Sequence, residues 1–319
     1  MSGYCLGFDT SCYTTSVACA GRDGVVVDER KVLDVPHGGR GLRQSDALFQ
    51  HNRNLPPLLD ALFSHIDRRL VRAVAVSVSP TAAPDSYMPV FLAGQLAARS
   101  VAGALDVPLM VTNHQAGHLR AALLGNEALL LSDCFLALHL SGGTTDLLLV
   151  RPADGGLGEA TPLGASSDLH AGQLVDRVGV AMGLPFPCGA RFEALARRAQ
   201  ERLIRIPSSV RALNCSFSGA EAQAFRLLRG GTPPEEVAYA IYDFLARTLS
   251  RILLSAAQET GCKDALAAGG VASSVLLREL LASRLQGRVR LSFGESALSS
   301  DNAVGTALLA SDAWGGELL

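Results

Sequence analysis

The chain has 319 residues, 48% of them hydrophobic and 18% charged, with a formal net charge of −2. That length supports one large or two medium globular domains with cores of their own, and no stretch reaches the roughly 18 consecutive apolar residues of a membrane span. The near-neutral balance argues against a chain that grips nucleic acid by itself through overall charge, and a partner would have to help.

The N-terminal stretch "MSGYCLGFDTSC" lacks the basic, apolar and small-residue regions of a signal peptide, and a cytoplasmic protein is expected. Two strands, "YCLGF" and "SVACA", flank a turn of small and hydroxyl residues, and a third, "GVVVDERKV", follows the Gly21 to Gly24 turn. The spacing then predicts a helix over "SDALFQHNRNLPPLLDALFSHI", a strand "AVAVSVS", a helix over "PVFLAGQLAARSVAGAL" and a strand "PLMVTN". The helix that opens with "HQAGHLRAALL" carries His114 and His118 four apart on one face, a spacing that suits two ligands of one metal. Taken alone it reads equally as two surface or capping histidines. No Glu follows the first, so it is not the metalloprotease H-E-x-x-H.

A shift of 130 positions lays "LGFDTSCYTTSVA" over "LALHLSGGTTDLL", with Ser11 on Ser141 and the pair Thr14 and Thr15 on Thr144 and Thr145. Each copy is strand, small-residue turn, strand, and each leads into alternating strands and helices, the pattern of a layered α/β domain occurring twice. Two such lobes, 1–132 and 133–319, are expected to face each other across a cleft. The two turns would present free backbone N–H groups to a bound anion. In the second copy helices are expected around "AGQLVDRVGVAMGL", "GARFEALARRAQERLI" and "PPEEVAYAIYDFLARTLSRILLSAAQET". Asp176 follows Gly172 by one turn there, which would let a close-approach glycine and a carboxylate for ribose hydroxyls face one ligand, or would be a solvated acidic face. Asp168 and Gly189 lie in the same segment. The arginines of "RFEALARRAQERLIRIPSSVR" form a basic stretch on a predicted helix, a solvated face or a surface for RNA. "DALAAGG" reads as a buried strand running into Gly269 and Gly270, with room for a nucleotide on the backbone before the helix "SSVLLRELLASRL". In "LSSDNAVGTALL", Asp301 is either a third metal ligand or simply a helix N-cap.

Other chemistries find no support. The two lysines, Lys31 and Lys263, follow no Walker-type loop, and the serines of "NCSFSGAEA" have no hydrolase partners. The seven cysteines, Cys5, Cys12, Cys19, Cys134, Cys188, Cys215 and Cys262, include no C-x-x-C pair and read as reduced, mostly buried thiols.

In order, "LGFDTSCYTT", "NHQAGHL", "LSGGTTDL", "AGQLVDRVGVAMGLPFPCG", "CSFSG", "AAGGVASS" and "SSDNAVGTAL" resemble the blocks of the TsaD family, the tRNA threonylcarbamoyladenosine transferases once called O-sialoglycoprotein endopeptidases. The resemblance implies an actin-like ATPase (ASKHA) fold with two duplicated RNase H-like lobes. It implies His114, His118 and Asp301 as ligands of a divalent metal, iron by preference over zinc or magnesium. His139, Leu140, Ser141, Gly142, Gly143, Asp176, Gly189 and Ser274 would line the site of ATP or threonylcarbamoyl-adenylate, Ser274 standing where the family usually has Asn. The implied partners are a smaller actin-like paralogue of TsaB type, an associated ATPase and tRNA, with no membrane. Departures are as specific. Tyr13 and Thr14 replace an acidic pair, Ser79, Pro80 and Thr81 replace Gly-Pro-Gly, Thr144 replaces a histidine and Leu169 an aspartate. Two further readings follow, a nucleotide-binding paralogue or scaffold that has lost catalysis, and a metalloprotease resting only on the family's historical name.

Overall fold

The computed structural model describes residues 3–11, 13–21, 24–35 and 42–314, and Cys12 lies outside them. The first sheet is built from β1 (Tyr4–Asp9), β2 (Thr14–Gly21), β3 (Gly24–Val32), β4 (Val71–Ser77) and β5 (Leu109–Thr112), with helices α1 (Gln44–His65), α2 (Phe91–Leu105) and α3 (His114–Ala122). Its order is β3-β2-β1-β4-β5, with β1 antiparallel to β2 and parallel to β4. The second sheet comprises β6 (Phe135–Leu140), β7 (Thr145–Ala153), β8 (Gly156–Ala165), β11 (Asp264–Ala268) and β12 (Arg290–Phe293), in the order β12-β11-β6-β7-β8. Put β6, β7, β8, β11 and β12 in the places of β1 to β5 and the two orders coincide. The 130-residue repeat in the sequence is therefore a repeat of topology.

Between β8 and β11 the second unit inserts α4 (Ala171–Ala181), α5 (Gly189–Ala196), the hairpin β9 (Ser209–Arg211) and β10 (Asn214–Ser216), α6 (Ser218–Arg229) and α7 (Pro234–Thr260). The helices α8 (Val275–Leu285) and α9 (Val304–Trp314) follow β11 and β12 as α2 and α3 follow β4 and β5. The core of this unit gathers around α7, whose Val237, Ile241, Phe244, Leu245, Leu249 and Leu253 are buried. The strands β8, β9, β10 and β12 and the helix α6 were not anticipated.

Contacts divide the chain into one unit of residues 1–130, 152–158 and 297–319 and another of 131–151 and 159–296. Against the expected division at 132/133, residues 131–132 belong to the second unit and 152–158 and 297–319 to the first, the last carrying α9, which packs on β1, β2, β4 and α3. Side-chain size is the reason. On one face of the first sheet Leu6, Phe8 and Val17 meet Leu55, Leu58 and Leu62 of α1. The other face offers Ala18 and Ala20 to Ala303, Val304 and Ala307. A Cβ on Gly7 would lie 2.4 Å from the Ala303 carbonyl oxygen, and one on Gly305 1.8 Å from that of Gly117. Only glycine permits β1, α3 and α9 to approach so closely.

Two sequence expectations are corrected here. The helix predicted over "GARFEALARRAQERLI" stops at Ala196, because the Glu236 carboxylate in the first turn of α7 collects the N–H groups of Gln200, Glu201 and Arg202 at 2.7–3.0 Å. And Cys134 and Cys262, expected as thiols, form a disulfide. The parallel pairing of β6 with β11 sets Leu136 beside Ala265 and so brings together two residues 128 apart, which no local spacing reveals. Cys5, Cys19, Cys188 and Cys215 are free and buried, as expected.

Candidate functional site

Helix α3 starts where it does because its four leading N–H groups all find acceptors. His114 N–H donates to the Ser79 carbonyl (2.9 Å), Gln115 N–H to Pro80 (3.0 Å), Ala116 N–H to the Asn113 side chain (2.9 Å) and Gly117 N–H to the Asn113 carbonyl (3.2 Å). The Ser79-Pro80 stretch, which departs from the family pattern, thus still anchors the helix by its backbone. His114 and His118 stack edge-on, ring centroids 4.4 Å apart. Both Nε2 atoms turn to one oxygen: Asp301 Oδ1 lies 3.5 Å from that of His114 and 3.4 Å from that of His118. One donor atom from each of the three residues falls within 4.8 Å of the others, a set that suits a divalent cation. Asp301 is not the helix cap that the sequence also allowed. Asn302 takes that place, accepting Val304 N–H at 3.0 Å while its amide donates to the Leu298 and Ser300 carbonyls.

Asp9, which sequence reasoning did not single out, closes the group. It is fully buried at the end of β1, in the series with Cys5 and Gly7 that faces α9. One of its oxygens accepts Ser11 N–H at 2.9 Å and the other lies 2.9 Å from His114 Nδ1. Holding the proton on Nδ1 directs the Nε2 lone pair toward His118 and Asp301. Burial alone would lower the His114 pKa, but the Asp9 and Asp301 carboxylates overcome it and raise it to about 10. His118 is pushed down, by burial and by the charge of His114. Burial works to raise both carboxyls, yet the histidines hold Asp9 and Asp301 below the usual range. With one imidazolium between two carboxylates, the site is short of positive charge and ready for a cation that displaces the His114 proton.

The second sheet carries a different construction. Ser141 N–H donates to the Thr144 carbonyl at 2.9 Å, closing the β6–β7 turn, and its hydroxyl accepts Gly143 N–H at 3.3 Å. A Cβ on Gly142, Gly143 or Gly189 would meet nothing within 4 Å, so backbone is presented to open space at all three. Gly172 has another task than the ligand contact expected of it: a Cβ there would lie 2.7 Å from Gly142 Cα, so its bareness lets α4 press against the turn. Asp176 accepts Cys188 N–H at 2.7 Å, which fixes the start of α5 at Gly189 beside it, and burial pushes its carboxyl up. His139 and Leu140 are buried in β6, where the Leu140 carbonyl faces Gly269. Gly269 has φ +93°, and a Cβ on it would meet that oxygen at 2.4 Å. The bareness of Gly269 makes room for β6. Ser274 is the N-cap of α8, its hydroxyl accepting Leu277 N–H at 3.2 Å. Asp168 collects the hydroxyls of Ser216 and Ser218 and the N–H groups of Phe217 and Ser218, so it ties the β10–α6 junction to the segment between β8 and α4.

Residues 34–308 match the family model described as TsaD, tRNA N6-adenosine threonylcarbamoyltransferase. The chain belongs to the TsaD family. A tRNA N6-adenosine threonylcarbamoyltransferase of Thermus thermophilus is 33% identical over 97% of this chain and 91% of its own length. Among solved structures, the activator of 2-hydroxyisocaproyl-CoA dehydratase from Clostridium difficile superposes with a TM-score of 0.58 at 12% identity, over 99% of this chain and 98% of that one. HypF from T. kodakarensis gives 0.62 at 14%, over 99% of this chain and 48% of that one. These neighbours establish the actin-like ATPase fold and nothing finer. Within the TsaD family pattern, the blocks "NHQAGHL" and "SSDNAVGTAL" converge in the first unit, and "LSGGTTDL" and "AGQLVDRVGVAMGLPFPCG" in the second. The aspartate of "LGFDTSC" could have been found by its even spacing from Cys5 and Gly7, which puts it on their side of the sheet.

Proposed function

We propose that this protein transfers a threonylcarbamoyl group from threonylcarbamoyl-adenylate to N6 of an adenosine in tRNA. The observation that carries the reading is the convergence of His114, His118 and Asp301, from two segments far apart in sequence, in a chain of the TsaD family. The N6 amine attacks the carbamoyl carbonyl carbon, the bond to the adenylate phosphate oxygen breaks, AMP leaves and the amine gives up a proton. His114, His118 and Asp301 would hold a divalent metal, iron by preference, which when bound would supply Lewis-acid polarisation. The chain's own groups orient. Asp9 fixes the ring of His114, and the open backbone at Ser141, Gly142 and Gly143, with Asp176 and Gly189, is the proposed seat of the adenylate.

Two partners complete the reading, a smaller actin-like paralogue of TsaB type and an associated ATPase, acting with this chain in the cytoplasm on tRNA. No helix among the described residues is long and apolar enough to cross a membrane. The test is mass spectrometry of nucleosides from bulk tRNA in a strain lacking the gene. Threonylcarbamoyladenosine is expected to vanish, to return with the wild-type gene and to stay absent with His114→Ala or Asp301→Asn. Unchanged levels in the deletion strain would sink the reading.

A further inference from the structure

Two of the six arginines in the basic stretch that sequence offered as a surface for RNA are already engaged by the protein. Arg197 lies 3.2 Å from Glu193 and 3.3 Å from Glu279, and Arg202 lies over the Tyr239 ring. Positive charge collects elsewhere, in a cavity of about 860 Å³ walled by Arg247 and Arg251 of α7 and by Arg284 and Arg288 at and beyond the end of α8. Two of the four share one carboxylate: Asp243 accepts from Arg247 Nε at 2.8 Å and from Arg284. Arg247 also donates to the Ser208 hydroxyl, at 3.2 Å, so its guanidinium is held in place. The buried Nε–H of Arg284 has no acceptor among the described residues. Arg251 is exposed and makes no hydrogen bond or ion pair among the described residues, and Arg288 donates only to the carbonyls of Leu285 and Arg284. Four guanidiniums stand against one carboxylate, in a chain of net charge −2.

From this we infer a phosphate-binding site, shaped for the phosphodiester backbone of RNA. Between the arginines lie serine hydroxyls and the Gln258 and Gln286 amides, beside Leu254 and Leu280, and the donors among them suit anionic oxygens. No aromatic side chain lines it, so there is no platform on which a base would stack, and the backbone rather than the base is what it recognises. The inference rests on the tRNA-directed function above and adds where the chain itself takes hold of the substrate.

The test is titration of bulk tRNA onto the full chain at several salt concentrations, comparing wild type with R251Q/R288Q and R251K/R288K. For R251Q/R288Q, affinity is expected to fall roughly tenfold or more near ~0.1 M salt, and the slope of log affinity against log salt to flatten by about 1.5, two phosphate contacts' worth. R251K/R288K keeps the charge and is expected to keep most of the affinity. Equal urea midpoints for the three proteins show that the fold is intact. Unchanged affinity and slope in R251Q/R288Q overturn the proposal, as does a wild-type chain that does not bind tRNA at low salt. Inorganic phosphate is the second probe: if R251Q/R288Q loses phosphate binding but holds tRNA normally, the cavity serves a free anion and the RNA assignment fails. Should the deletion strain keep threonylcarbamoyladenosine, the functional reading fails whatever the cavity binds. If the modification depends on the gene while R251Q/R288Q binds tRNA as wild type does, only the cavity proposal falls.

Discussion

The turn after β1 and the turn after β6 occupy the same place in two sheets of one topology, yet they are made of opposite materials. After β1, Thr10 and Ser11 are buried, and side chains do the bonding: Thr10 donates to the Val90 carbonyl while Asp9 holds His114. After β6 the glycines are exposed, and the turn is backbone around open space. The two copies therefore share the path of the chain and not its chemistry, one placing a mostly buried charged cluster near its turn and the other presenting bare backbone. A centre built of buried side chains should fail by losing packing or charge. A cradle built of backbone should fail by losing shape.

The largest expected effect tests the first half of that contrast. In Gly305→Val the new side chain has no space against the Gly117 carbonyl, and stability should fall by about 3 kcal/mol or more, with loss of bound divalent metal. Urea unfolding and metal analysis on one preparation check both, and retention of metal at wild-type stability would refute the packing argument. Next, Asp9→Asn should weaken divalent-cation binding roughly 10–100-fold without comparable loss of stability. Since the His114 proton must leave when a cation binds, affinity should rise about tenfold per pH unit up to about pH 10. Removing one of the two carboxylates that hold that proton should move the bend to lower pH.

For the cradle, Gly172→Ala drives a methyl into the Ser141-Gly142 backbone, and a loss of about 2 kcal/mol is expected together with weaker adenine-nucleotide binding by calorimetry. If nucleotide affinity held while stability dropped, the turn would not be the nucleotide seat. The smallest effect belongs to Ser274→Ala, which removes the cap of α8 at a cost of about 1 kcal/mol and should leave nucleotide affinity alone. A large loss of affinity there would return Ser274 from cap to ligand contact.

Much of this architecture was legible because it is periodic or repeated. Short apolar runs bounded by turn residues marked strands of the first sheet, the 130-residue repeat announced the duplication, and the i, i+4 histidines announced a shared face. What escaped was decided by residues remote in sequence. Whether Asp301 is cap or ligand depends on Asn302 taking the cap. The end of α5 depends on Glu236, and the disulfide on the register of β6 and β11. Glycines misled for a related reason. Gly172 and Gly269 look like concessions to a ligand, but the close neighbour in each case is the protein's own backbone.

The seat of α9 in the first unit has a consequence for biosynthesis. His114 and His118 leave the ribosome long before Asp301, which at about 5–20 residues per second means a delay on the order of ten to forty seconds. Through that interval the nascent first unit has histidines and Asp9 but neither the third donor nor the helix that covers β1. A product cut short before Ala297 therefore lacks Asp301 and α9, and the cluster of His114, His118 and Asp301 cannot assemble in it.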